Sequence, residues 1–182
     1  MPLTRTNSHG TFRTLRTLSA VSALAATGML RVTNPTNGDD STGGPQSHYY
    51  PFVLTEPLLV RQMYVINGTS VAGNIDVGIY SEGGIRLVSA GSTAAIGTNT
   101  IQTFDLVDTT LNPGHYYMAF AKGTTGPSSQ QWCVLPSAYP DNVLRCLGCR
   151  TSADFPLPAT PVWVVMQRSA VPFFGVTGES VI

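Results

Sequence analysis

The stretch Asn74-Ile-Asp-Val-Gly-Ile-Tyr-Ser-Glu-Gly-Gly-Ile-Arg-Leu-Val-Ser-Ala-Gly-Ser-Thr93 decides the fold. Ile75, Val77 and Ile79 alternate with Asp76, Gly78 and Tyr80. A period of two places the first set on one face of a strand and the second on the other. Glu82-Gly83-Gly84 then breaks the pattern, and Ile-Arg-Leu-Val-Ser-Ala resumes it. Alternation, a glycine turn and renewed alternation predict two adjacent antiparallel strands.

Similar segments lie on either side. Residues 57–66, PLLVRQMYVI, read as a strand ending at Asn67-Gly68, a strong hairpin dipeptide. In TIQTFDLV, Ile101, Thr103 and Asp105 oppose Gln102, Phe104 and Leu106. Asn112-Pro113-Gly114 is a turn, because Pro fixes φ and Gly accepts positive φ. In residues 115–121, HYYMAFA, Tyr116, Met118 and Phe120 oppose Tyr117, Ala119 and Ala121. Residues 131–135, QWCVL, and 162–167, VWVVMQ, predict later strands, the second a central one because it is apolar on both faces. Residues 154–161, DFPLPATP, are too proline-rich for a central strand and read as loop or edge. Strands about ten residues apart, each closed by a turn, predict an all-β fold, an antiparallel β-sandwich of jelly-roll type.

The first 48 residues differ. Phe12, Leu15, Leu18, Val21 and Leu24 recur at a spacing that permits a short helix, with Gly28 as its stop. NPTNGDDSTGGPQS, residues 34–47, is a turn-rich linker. The division expected is an arm and linker over 1–48, serving docking or assembly, and a sandwich over 49–182. Leu18–Leu30 follows Arg5, Arg13 and Arg16 and resembles a poor signal peptide; its dilution by Ser and Thr favours a retained arm.

Composition narrows the function. The chain has 182 residues, only 11% of them charged, with Lys122 its single lysine and a formal net charge of zero. That balance gives no general attraction to nucleic acid or to anionic membrane, and little repulsion between copies. No apolar run approaches the length of a membrane span.

Candidate chemistry is sparse. Gly68-Thr-Ser70-Val-Ala72 approaches a nucleophile elbow but lies in a turn and ends in Ala. Cys146 and Cys149 have the spacing of a zinc or redox pair, yet Cys133 is the only other cysteine, and His9, His48 and His115 are distant in sequence. Asp76, Glu82, Asp105 and Asp108 could approach one another across strands, without a calcium-loop spacing. No catalytic residue, cofactor or metal is expected. Asn67-Gly68-Thr69 is a glycosylation sequon that turn chemistry explains equally well. Among the aromatics, Tyr80, Tyr117, Trp132 and Tyr139 are the candidates for a glycan-facing surface, against the simpler reading of sheet packing.

The segment Tyr50–Thr125 resembles a β-sandwich module of tailed-bacteriophage virion proteins. The resemblance lies in Gly73-Asn-Ile-Asp-Val-Gly-Ile-Tyr80, in Gly84 with Arg86-Leu87-Val88, and in Leu111-Asn-Pro-Gly-His-Tyr-Tyr117, and covers under half the chain. It implies a non-enzymatic structural protein of a virion, of tail, fibre or decoration type, assembled in the host cytoplasm. Its partners would be other virion proteins and copies of itself. The matching positions are turn glycines and strand residues, so no functional residue is carried over. A capsid decoration protein, or a carbohydrate-binding module for a host surface, is the alternative.

Overall fold

A computed structural model describes residues 4–6, 12–19, 36–38, 45–123, 130–134, 147–166 and 170–180. The described chain is all β. Its strands are β1 (Thr4–Thr6), β2 (Phe12–Ser19), β3 (Thr36–Gly38), β4 (Gln46–Leu54) and β5 (Leu58–Ile66). Next come β6 (Asn74–Ser81), β7 (Arg86–Ser89), β8 (Thr93–Ala94), β9 (Ile101–Leu111) and β10 (Gly114–Lys122). The last are β11 (Gln130–Val134), β12 (Arg150–Ser152), β13 (Val164–Val165), β14 (Ala170–Pro172) and β15 (Phe174–Ser180).

Two antiparallel sheets make the sandwich. One has the order β1-β2-β15-β5-β9; the other has the order β13-β12-β4-β10-β6-β7, with β8 also on β6. A small third sheet joins β14, β11 and β3. The main core draws on both large sheets: Tyr50, Phe52, Ile75, Val77, Ile79, Met118 and Phe120 from one, and Leu58, Met63, Val65, Phe104, Phe174 and Val176 from the other. This is the arrangement that inward-facing, alternating apolar residues require.

The opening stretch folds as expected. β6 pairs antiparallel with β7, Gly78 opposite Ser89 and Ile79 opposite Val88. Gly84 takes φ +81°, the left-handed conformation its turn needs. The faces of β6, β9 and β10 are also those the alternation assigns.

Four expectations are corrected. Asn67-Gly68 does not close a hairpin: β5 lies in the five-stranded sheet and β6 in the seven-stranded one. The turn is a corner between sheets, held by Asn67 N–H donating to Thr100 O and Asn99 N–H to Gly68 O. Phe12–Ser19 is a strand and not a helix, with Leu18 opposite Val176 of β15. Val21 and Leu24 lie outside the described residues. Residues 162–167 are not a central strand: only Val164–Val165 pair, at the sheet edge, with Val164 and Val165 exposed. Finally, residues 46–48, assigned to the linker and arm, open β4, so the sandwich strand begins two residues inside the expected arm.

Candidate functional site

The two large sheets have outer faces of opposite character. On the seven-stranded sheet, the outward residues of β10 and β6 are Ala119, Ala121, Gly78, Asp76 and Tyr80, with Tyr49 from β4 beside them. Small side chains leave room for a covering layer, and residues 153–163 supply it. Leu157 of this strap is fully buried on the sheet. Gly78 makes that contact possible: a Cβ there would stand 2.6 Å from Val88 O and 3.1 Å from Leu157 Cδ1. Trp163 closes the far end, its ring centroid 4.7 Å from that of Tyr117 and 5.7 Å from that of Tyr49.

Polar groups pin the strap along its length. Ser47 Oγ donates to Asp154 O at 2.6 Å, and Tyr80 Oη to Pro158 O at 2.6 Å. Leu157 N–H donates to Asp76 Oδ2 at 3.0 Å, and the Arg86 guanidinium donates to Leu157 O. Arg86 N–H donates to Ala159 O. Desolvation raises the Asp76 carboxyl from its usual 3.8 to about 6, against the lowering effect of the Leu157 hydrogen bond and of Arg86. Burial also raises the phenols of Tyr80 and Tyr49.

The glycan-facing expectation fails at Tyr80, which is fully buried under the strap, edge-on to Tyr49. Tyr117 is half-buried beneath Trp163. Trp132 lies on β11 without a described side chain, and Tyr139 is outside the described residues. Asn67 of the sequon is fully buried, its amide donating to Ile96 O at 2.7 Å and to Gln102 Oε1 at 3.1 Å. Asn67 therefore serves as a clamp on the loop before β9, and offers no exposed amide to a glycan. Ser70 is exposed in the loop after β5. Cys149 is a buried free thiol, pushed up to about 12 by desolvation, which leaves it unreactive. Among the described residues no cluster of His, Cys, Asp and Glu is arranged to hold a metal ion.

The outer face of the five-stranded sheet is bare and carries the best-formed groove, a cavity of about 450 Å³. Its origin is visible in the alternation. In β5, Leu58, Val60, Met63 and Val65 point inward, so Arg61 and Gln62 both point out. In β9, Gln102, Phe104, Leu106 and Leu111 are buried, while Val107 and Asp108 both point out. Each pair marks a shift of register: Val60 lies opposite Thr109, but Gln62 lies opposite Asp105. A second shift, between Thr177 and Gly178 of β15, meets the same place from the other side. Bulges kink a sheet and re-aim side chains, and three adjacent strands are disturbed together here. The Arg61 guanidinium lies 3.6 Å from Asp108 and 3.9 Å from Glu179, and Gln62 donates to Asp105 at 2.6 Å. One cation therefore faces three carboxylates in the groove lining. Such a surface takes hydrogen-bonding or cationic groups and offers no aromatic platform.

No family model matches the chain. No curated protein matches it either. Among solved structures, the crystal structure of the infectious bursal disease virus VP2 subviral particle aligns with TM-score 0.33 and 16% identity over 93% of this chain. The Gx and Gt strain structures of the same virus align with TM-scores of 0.32 and 0.31, each at 12% identity, over 93% and 100% of this chain. The chain spans only 42%, 41% and 47% of the length of those chains. Scores at this level do not establish a common fold.

Sequence reasoning missed the groove. Its signal was present in Arg61-Gln62 and Val107-Asp108, where two successive side chains break a period of two.

Proposed function

We propose that the protein is a non-enzymatic structural component of a bacteriophage virion, tail- or fibre-associated, joined to its neighbours through the N-terminal arm with the sandwich facing outward. The observation that carries this reading is the placement of the arm: β2 enters the sandwich as an added strand on β15, through backbone pairing over Gly175–Glu179. A segment that docks by backbone ladder can hold one chain to another. Composition supports the same reading, since net charge is zero and charged residues are few. The virion-module resemblance of Tyr50–Thr125 covers β5–β7, β9 and β10, which build the sandwich itself. Burial of Tyr80 and the cover over Tyr117 favour assembly over glycan recognition by those aromatics.

The test is the oligomeric state of the full chain beside a chain beginning at Pro45, ahead of β4, by light scattering, with circular dichroism to verify the β fold of each. The expected result is a defined multimer for the full chain and a monomer for the shortened one. Two folded monomers would overturn the proposal.

A further inference from the structure

We infer that β2 is exchanged between copies: in the assembled protein, Phe12–Ser19 of one chain pairs with β15 of a neighbouring copy. The inference rests on the assembly reading above and names its partner, a second copy, and its docking edge.

β15 needs a strand on this side. It separates β2 from β5, and Phe174 and Val176 are fully buried in the core behind it. Without β2, its outer backbone groups would form an open sheet edge, a ready template for pairing. The other end of the same sheet is defended. β9 is disturbed by the register shift opposite Arg61, and it presents Asp105 and Asp108. Bulges and charges of this kind block edge-to-edge contact. The β15 edge is thus the side through which a second chain can add.

β2 is suited to be that strand from either chain. Its described pairings are with β15 and with β1, itself part of the arm. Leu18 packs partly buried against the core, while Thr17 is exposed. The ladder from Ser19 opposite Gly175 to Leu15 opposite Glu179 is made by the backbone, so the same contacts form within one chain or between two. Residues 20–35 separate β2 from β3, sixteen in all. Extended, that length reaches roughly 50 Å, enough to span to a neighbour. Exchange of an identical element costs little, and reciprocal exchange closes a symmetric pair with two ladders.

Thr17 lies directly opposite Thr177, on the outer face. Directly opposed residues in an antiparallel pair are within disulfide range. The experiment uses full-length chains carrying Thr17→Cys and Thr177→Cys singly, distinguished by mass, mixed during refolding and oxidised. The parent chain, with its own three cysteines, is the baseline. The expected result is a mixed dimer whose bridge, mapped by mass spectrometry, joins the two introduced cysteines. The double variant should likewise give bridged multimers. An internally bridged monomer from the double variant, with no mixed dimer from the singles, overturns the exchange. Light scattering on the unoxidised samples separates the two ideas. A multimer with internal bridges leaves the assembly reading standing and removes the exchange; a monomer removes both.

Discussion

The outer faces of the two sheets make an informative contrast. Both belong to antiparallel sheets that share one core. One is roofed by a proline-rich strap, with Leu157 and Tyr80 fully buried and Asp76 drawn into a dry setting. The other stands open to water, with Arg61, Asp105, Asp108 and Glu179 around a bulged groove. The cause lies in the outward side chains. Ala119, Ala121 and Gly78 leave a shallow apolar floor that must be covered. Gln62, Thr103, Asp105 and Thr177 are solvated without a cover. An antiparallel sheet tolerates one wet face, and this fold uses that freedom once. The roofed face therefore contributes stability, and the open sheet, with its arm strand, is left for contact.

Substitutions at matched places should separate the faces. Gly78→Leu drives a side chain into Val88 O and the strap, and should destabilise by about 3 kcal/mol or more in chemical denaturation. Thr177→Leu, on the open face, should change stability by about 0.5 kcal/mol at most. Equal losses at the two positions would mean that the strap does not cover the first sheet.

Titration gives the next effect. The Asp76 carboxyl is raised to about 6 in the folded chain. Between that value and the unfolded value near 3.8, the native state binds the proton more tightly, so this group adds stability as pH falls. Asp76→Asn removes the charged form. It should gain about 2 kcal/mol over the parent near pH 7, and that gain should vanish by about pH 4. His48 acts in the opposite sense. Burial, helped by Lys122, lowers it from 6.5 to about 4, so its contribution is lost as pH falls through that window. The difference between Asp76→Asn and its parent cancels the histidine, and is the quantity to measure. A pH-independent difference would place the carboxylate in water.

The smallest effect belongs to the groove. The Arg61 and Asp108 side chains are 47% and 59% exposed, so their ion pair is screened. Arg61→Ala should cost no more than about 1 kcal/mol, and less in high salt. A larger, salt-insensitive loss would show that the open face is a structural element like the roofed one.

The strands of the sandwich were legible because period-two alternation and glycine turns are local signals. Ile75, Val77 and Ile79, or Gln102, Phe104 and Leu106, declare their face within a few residues. What was not legible depends on tertiary partners. Phe12, Leu15 and Leu18 fall at helical spacing, yet pairing with β15 overrides that pattern. Asn67-Gly68 is a turn in either case, but only the whole fold shows that it changes sheets. Tyr80 was assigned to the face opposite Ile79, correctly; the strap that buries that face comes from about eighty residues further on and leaves no mark beside it. The valines of 162–165 read as core because apolar strands usually are, and here they sit at an edge.

The central claim is that this sandwich assembles through its arm strand, and the most direct measurement is light scattering of the full chain beside full-length Leu18→Asp. That change puts a charge where β2 meets the core, opposite Val176. The account predicts a defined multimer for the parent and a folded monomer for the variant. A parent chain that is monomeric at high concentration, or a variant that assembles unchanged, would contradict it.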